Sequence, residues 1–177
     1  MSNYDGFKII YEQYSKSIYI YCYKMTSRIH IAQEIMQDTF VRFFEKCSGM
    51  DLQNCELSAY LYKIAHNLCV DHIRKECRFA SLKAFIYDSD ISPGIEEHVT
   101  GDCYSEAMQR WLKALTPTQR SIVILHAVEK LSHSQIASIL NKREEAVRKQ
   151  YQRSKDKIRD LLEREGVMKN EASRPVW

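Results

Sequence analysis

The sequence predicts an all-α protein of two small helical domains joined by a flexible linker, and three observations carry that expectation. Apolar residues recur at i, i+3, i+4 and i+7 over long stretches, the period of a helix with one buried face. Five Gly and three Pro in 177 residues leave few breaks in those stretches, whereas an all-β fold needs many more turns. One stretch, residues 79–104, loses the period and carries Ser92-Pro-Gly94 among Asp88, Asp90, Glu96, Glu97 and Asp102, the composition of a linker.

A hydrophobic share of 45% with 28% charged residues excludes disorder throughout, and the length allows one good core or two small ones. The net charge of +3 is small, so any nucleic-acid role must rest on where Lys and Arg cluster. No apolar run approaches the roughly 20 residues of a membrane span. Met1-Ser2-Asn3-Tyr4-Asp5 lacks the charged and apolar regions of a secretion signal, so a cytoplasmic protein with no membrane insertion of its own is expected. The cysteines Cys22, Cys47, Cys55, Cys69, Cys77 and Cys103 are irregularly spaced, without any C-x-x-C, and read as reduced core or incidental thiols. His66, Cys69, His72 and Cys77 crowd one segment, but their spacing matches no zinc frame; neither metal nor cofactor is expected.

The first helix is marked by Phe7, Ile10, Tyr11, Tyr14, Ile18, Tyr21, Cys22 and Met25. In the second, Ala32, Ile35, Met36, Thr39, Phe40, Phe43, Phe44 and Cys47 share one face, and Glu34, Gln37, Asp38, Arg42 and Glu45 lie on or beside the other. Residues 48–56 hold Gly, Asp and Asn and read as a loop. Leu57, Tyr60, Leu61, Ile64, Ala65, Leu68, Cys69, His72 and Ile73 mark a third helix, whose basic residues from Arg74 to Arg78 suit the negative pole of a helix C-terminus. These three helices form the first domain, residues 1–78.

The second domain spans residues 105–165, and residues 166–177 form a tail without pattern. A short stripe, Ala107, Met108, Trp111, Leu112 and Leu115, runs into Thr116-Pro-Thr-Gln119, which supplies an N-cap, a Pro at N1 and a Gln at N3 for a helix with Ile122, Val123, Leu125 and His126 inward. Ser132 and Gln135 repeat the start signal for a helix with Ile136, Ala137, Ile139 and Leu140 inward. Asn141, which tolerates left-handed backbone, ends it; Lys142 and Arg143 fill the turn. A last helix from about Glu144 to Glu165 buries Ala146, Val147, Tyr151, Ile158, Leu161 and Leu162, and presents Arg148, Lys149, Gln150, Gln152, Arg153, Lys155 and Lys157.

Two helices meeting across so tight a turn predict a helix-turn-helix, and a helix rich in Arg, Lys and Gln fits the major groove, where those side chains bond base edges and phosphates. The competing reading is a solvated face of mixed charge, to which Glu144, Glu145, Asp156 and Asp160 lend weight. A second signal is the run Arg74, Lys75 and Arg78, preceded by Lys63, His66 and Asn67 and accompanied by Tyr60 and Tyr62, because cations and aromatic rings together hold single-stranded bases. The competing reading makes Tyr60 core and the basic run an ordinary helix end.

Ala32-Gln-Glu-Ile-Met-Gln-Asp-Thr-Phe-Val-Arg42 and Ala59-Tyr-Leu-Tyr-Lys-Ile-Ala-His-Asn-Leu-Cys-Val-Asp-His-Ile-Arg-Lys75 resemble region 2 of sigma factors of the extracytoplasmic-function type. Ala114-Leu-Thr-Pro-Thr-Gln-Arg120 and Leu131-Ser-His-Ser-Gln-Ile-Ala-Ser-Ile-Leu140 resemble region 4 of the same family. The resemblance implies a non-enzymatic partner of core RNA polymerase and promoter DNA, with an anti-sigma factor as a further partner. It assigns Glu34, Gln37, Asp38, Thr39 and Arg42 to the polymerase contact. It places Asn54, Ser58, Lys63, Asn67, Asp71, Arg74, Lys75 and Arg78 at the melted minus-ten element, with the loop through Asn54 receiving an extruded base. It gives Ser132, Lys142, Arg143, Arg148, Lys149, Gln150 and Arg153 to the minus-thirty-five duplex. The chain departs from the family in this last segment: the usual Gly, apolar residue and Ser followed by Gly-Thr-Val-Lys-Ser-Arg are here Asn141, Lys142, Arg143 and Glu145-Ala-Val-Arg-Lys-Gln150, which retain Val147 and add positive charge at the turn.

A dimeric helix-turn-helix repressor would explain the second domain alone and would bind a palindrome unaided. An enzyme would have to be built on His66, Asp71 and His72, which lack a carboxylate partner at ligand spacing and a phosphate loop.

Overall fold

Each amphipathic stretch becomes a helix in the computed structural model, which describes residues 3–47, 57–86 and 106–164. Among these there are seven helices and no strand: α1 (Asn3–Thr26), α2 (Ile29–Cys47), α3 (Leu57–Ile86), α4 (Glu106–Lys113), α5 (Pro117–Ala127), α6 (His133–Leu140) and α7 (Glu144–Arg164). They fall into two units, Met1–Cys103 and Tyr104–Trp177. The expected loop at residues 48–56, most of the expected linker and the tail lie outside the described residues.

In the first unit α1, α2 and α3 bury Ile18, Tyr21, Cys22, Met25, Ala32, Phe40, Phe43, Leu61, Ala65 and Cys69. Removing this much apolar surface from water, at roughly 25 cal/mol per Å², is what holds three such helices together. Ser27, at φ 60, reverses the chain between α1 and α2. Arg28 beyond it pairs with Glu76 of α3 at 2.5 Å, tying the turn to the third helix. Inside, Tyr62 packs edge-on against Tyr21 with centroids 5.5 Å apart, and the Tyr21 hydroxyl meets His66 Nδ1 at 3.2 Å. Tyr62 is therefore a core ring and not a platform for bases, while Tyr60 is half-buried beside Phe43.

The third helix departs from expectation. The basic run from Arg74 to Arg78 is not its end: α3 continues through Phe79 and Ala80 to Ile86, and the Ser81 hydroxyl donates to the Cys77 carbonyl at 2.9 Å. No Gly or Pro interrupts residues 57–86, and a good helix former such as Ala or Leu extends an existing helix at little cost. The loss of apolar period after Ile73 thus marks the loss of a packing partner, not of the helix. These cations belong to the exposed flank of a long rod.

The second unit follows its start signals closely. Thr116 and Ser132 are N-caps with complete capping boxes, each side chain accepting from the N3 amide of Gln119 or Gln135 and each backbone N–H donating to that Gln side chain. Asn141 caps α6 in the left-handed conformation at φ 51. The Lys142 amide then donates to the Ala137 carbonyl at 2.9 Å, closing the turn of a helix-turn-helix. Ile122, Ile124, Leu125, Ile136, Ile139, Val147, Ile158 and Leu162 form the core.

Buried polar residues complete this unit, among them Arg120 and Ser154. Arg120 is buried; its guanidinium donates to the carbonyls of Leu112 at 2.8 Å, Lys113 at 3.3 Å and Leu115 at 3.5 Å, satisfying the open end of α4. Ser154 occupies a core position of α7, its hydroxyl returned to the Gln150 carbonyl at 2.7 Å. Lys157 reaches the Ala114 carbonyl at 2.6 Å, anchoring α7 to the turn between α4 and α5.

Candidate nucleic-acid interface

On α3, Lys63, Asn67, Asp71, Arg74 and Arg78 succeed one another at intervals of three and four residues, which aligns them along one face, and all five are exposed. Lys75 is exposed beside them and Ser58 is half-buried. Arg74 lies 3.8 Å from Asp71, and Arg78 Nε donates to the Arg74 carbonyl at 3.4 Å, so the guanidinium groups follow the helix surface. Exposed pairs of this kind contribute at most about 1 kcal/mol, leaving the cations available to an anionic ligand. Asn54 lies outside the described residues.

On α2, Glu34, Gln37, Asp38 and Arg42 are exposed. Val41, at 55% exposure, stands next to them, giving a polar face with an apolar centre. Thr39 does not belong to it. It is 0% exposed, and its hydroxyl donates to the Ile35 carbonyl at 2.7 Å. The helical period already set it on the inward face with Ile35 and Phe43, so its role is packing.

In the second unit Lys142, Arg143, Arg148, Lys149 and Arg153 are exposed around the start of α7. The Arg143 carbonyl accepts from the amides of Ala146 and Val147, so this residue opens the helix while its side chain stays in solvent. Arg148 Nη2 donates to Glu144 Oε1 at 2.7 Å, an i, i+4 pair that the basic-helix reading passed over. Lys149 and Arg153 stand one turn apart on the exposed side. Ser132 is exposed, but its hydroxyl accepts from Gln135 N at 3.2 Å and serves as the cap. Gln150 leaves the outward face: it is half-buried, three residues from Val147 and four from Ser154, with Oε1 enclosed and without a hydrogen-bond partner among the described residues. The 3.6-residue period turns position 150 toward the core stripe.

Behind the turn, three rings from three helices meet. His126 of α5 stacks on His133 of α6, centroids 4.6 Å apart and planes at 17°; Tyr151 of α7 stands edge-on to both, at 4.5 and 5.3 Å. His126 Nδ1 lies 2.8 Å from the Leu131 carbonyl and must donate to it. Burial, then the neighbouring His126 and Arg148, push the His133 imidazole below its ordinary value, against a smaller opposing pull from Glu144. Burial raises the Tyr151 phenol. The sequence signal for this joint was two histidines seven positions apart across a capped turn, with a tyrosine on the next helix.

Among the described residues no helix is long and apolar enough to cross a membrane.

A basic stripe on a three-helix unit and a basic helix-turn-helix on a second define a two-part, all-helical DNA-binding protein. Residues 10–79 match Sigma-70 region 2 and residues 105–158 match Sigma-70, region 4. The ECF RNA polymerase sigma factor SigW of Bacillus subtilis is 29% identical over 168 residues, covering 89% of each chain. SigE of Mycolicibacterium smegmatis, also an ECF RNA polymerase sigma factor, is 29% identical over 154 residues, which cover 85% of this chain and 59% of that one. The sigma factor RpoE of Bartonella quintana, solved in complex with the anti-sigma factor NepR, shares the fold at a TM-score of 0.71 and 19% identity, covering 89% of this chain and 97% of that one. The chain belongs to the extracytoplasmic-function type of the sigma-70 family: it is an RNA polymerase sigma factor that directs transcription initiation and catalyses no reaction. Sigma factors of this family bind core RNA polymerase and promoter DNA.

Proposed function

We propose that the two units divide promoter recognition between them, the first opening and reading the minus-ten element and the second reading the minus-thirty-five element as duplex. The observation that carries this is the exposed stripe Lys63, Asn67, Asp71, Arg74 and Arg78 on a helix that runs on past its basic segment. A rigid rod with one cationic face holds phosphates of an opened strand in register, while Asn67 and Asp71 supply the hydrogen bonds that distinguish bases. Lys75 joins that surface, Ser58 and Asn54 belong to the pocket for an extruded base, and Lys142, Arg143, Arg148, Lys149 and Arg153 hold the duplex. Two weak DNA contacts in one chain raise each other's effective concentration, so selectivity requires both elements at the correct spacing.

Glu34, Gln37, Asp38 and Arg42, around Val41, form the contact to core polymerase. An anti-sigma factor is the restraining partner, and the protein acts in the cytoplasm, where core polymerase is. The domain limits are those of the sequence, residues 1–78 and 105–165, with the helix of the first continuing to Ile86.

The test mixes purified protein with bacterial core RNA polymerase and assays co-elution and transcription from fragmented genomic DNA. Co-elution with new start sites sharing two spaced elements is the expected result. Palindrome binding by the free protein, with no association with polymerase, would overturn the reading.

A further inference from the structure

We infer that the stacked histidines His126 and His133, with Tyr151, position the recognition helix α7 for DNA only while the His133 imidazole is neutral, so that promoter binding by the second unit weakens on acidification. The inference rests on the reading of α7 as the duplex-binding helix.

The geometry is specific. His126 comes from α5, His133 from the first turn of α6 and Tyr151 from the middle of α7, so one three-ring contact fixes the angle between the helices of the helix-turn-helix. His126 donates its Nδ1 proton to the Leu131 carbonyl, which holds its ring flat against His133. His133 Nε2 is enclosed and has no hydrogen-bond partner among the described residues. Protonation of His133 places N–H on both ring nitrogens and leaves an enclosed, charged donor without an acceptor. His133 also opens α6, where the positive end of the helix dipole opposes a further charge.

The surrounding charges do not offset this. Facing His133 are His126 from α5 and, from α7, Arg148, Glu144 and Tyr151, the last with Lys155 Nζ 5.7 Å over its ring. Glu144 is the one anion in that set, and it is paired to Arg148 at 2.7 Å. A charge on His133 is therefore relieved by separating α6 from α5 and releasing Tyr151.

The sign follows from linkage. The His133 value is lowered in the folded state, so the unfolded or opened form takes up its proton first, as the pH falls through the ordinary histidine value of about 6.5. The closed form is at full stability above that pH. Below it the closed-to-open ratio falls by up to about tenfold per pH unit, until the pH passes the lowered value and the dependence levels off.

The experiment compares holoenzyme carrying the wild-type chain with holoenzyme carrying His133→Phe, which keeps a flat ring in the stack and cannot titrate. The probe is a fluorescein-labelled duplex of a promoter fragment recovered by the genomic transcription assay, measured by anisotropy from pH 8.0 to 5.5. The ratio of the two affinities cancels titration of the polymerase itself. Equal binding at pH 8.0 and a several-fold advantage of His133→Phe at pH 5.5 are expected. His133→Gln provides a second non-titrating variant should Phe fail to pack, with circular dichroism of the full chain confirming folding. Parallel pH profiles for wild type and a folded variant would overturn the inference while leaving the promoter reading intact. Absence of binding by every protein at pH 8.0 would overturn the reading of α7, and the inference with it.

Discussion

Replacing Lys149 and Arg153 together by Ala isolates the electrostatic part of duplex binding. Both side chains are exposed on α7, one turn apart, and away from the buried stripe of Val147, Ser154, Ile158 and Leu162, so the helix itself is left intact by Ala. If each cation neutralises one phosphate, the slope of log K against log salt loses about 0.9 for each, or about 1.8 in all. Over a fourfold change in salt, from about 50 to 200 mM, a slope difference of about 1.8 corresponds to a factor of about 12. The variant holoenzyme should therefore be about 12 times more impaired, relative to wild type, at the low salt than at the high. Anisotropy titration of a labelled promoter duplex at several salt concentrations measures this directly. An unchanged slope with reduced affinity would refute the reasoning, because it would mean that these side chains do not face phosphate. Arg148→Ala is the internal comparison: its cation is already paired with Glu144 at 2.7 Å, so it should change the slope by well under the about 0.9 of an unpaired phosphate contact.

Arg120→Met keeps the apolar stem but takes the guanidinium donor from three backbone carbonyls, of which Leu112 keeps the Leu115 amide, and should destabilise the second unit by about 2 kcal/mol or more; thermal denaturation of the full chain would show its transition lowered or lost. Ser132→Ala removes the cap of α6 and should cost about 1 kcal/mol, with promoter affinity following stability and not the salt slope. Arg74→Ala with Lys75→Ala should leave association with core polymerase intact and impair promoter opening, and normal permanganate reactivity of the minus-ten region would count against that placement. Asp38→Ala with Arg42→Ala should weaken co-elution with core polymerase, whereas Thr39→Val should not, and a selective loss with Thr39→Val in a stably folded protein would restore it to the interface.

The helices of both units, the two capping boxes, the left-handed Asn141 and the helix-turn-helix were legible in the sequence, because each is a local matter. Period, cap and turn chemistry are set by residues within one or two turns of each other. The stripe on α3 was legible for the same reason, since positions three and four apart must share a face. The end of α3 was not, because the apolar period reports where a helix is packed, and the helix continues to Ile86 through Phe79, Ala80 and Ser81, which are exposed.

By itself the sequence determined which side chains lie together on each helix, and through its resemblance to a known family what those helices are for. Only the tertiary structure decided what each face meets. It turned Thr39 and Gln150 away from the interfaces proposed for them, made Tyr62 a core ring, gave Arg120 to the end of α4, and brought His126, His133 and Tyr151 into one joint. The physical reason is that these roles depend on atoms far apart along the chain. Burial, an acceptor at 2.8 Å or a ring at 4.6 Å exists only once the packing of several helices has placed the partners.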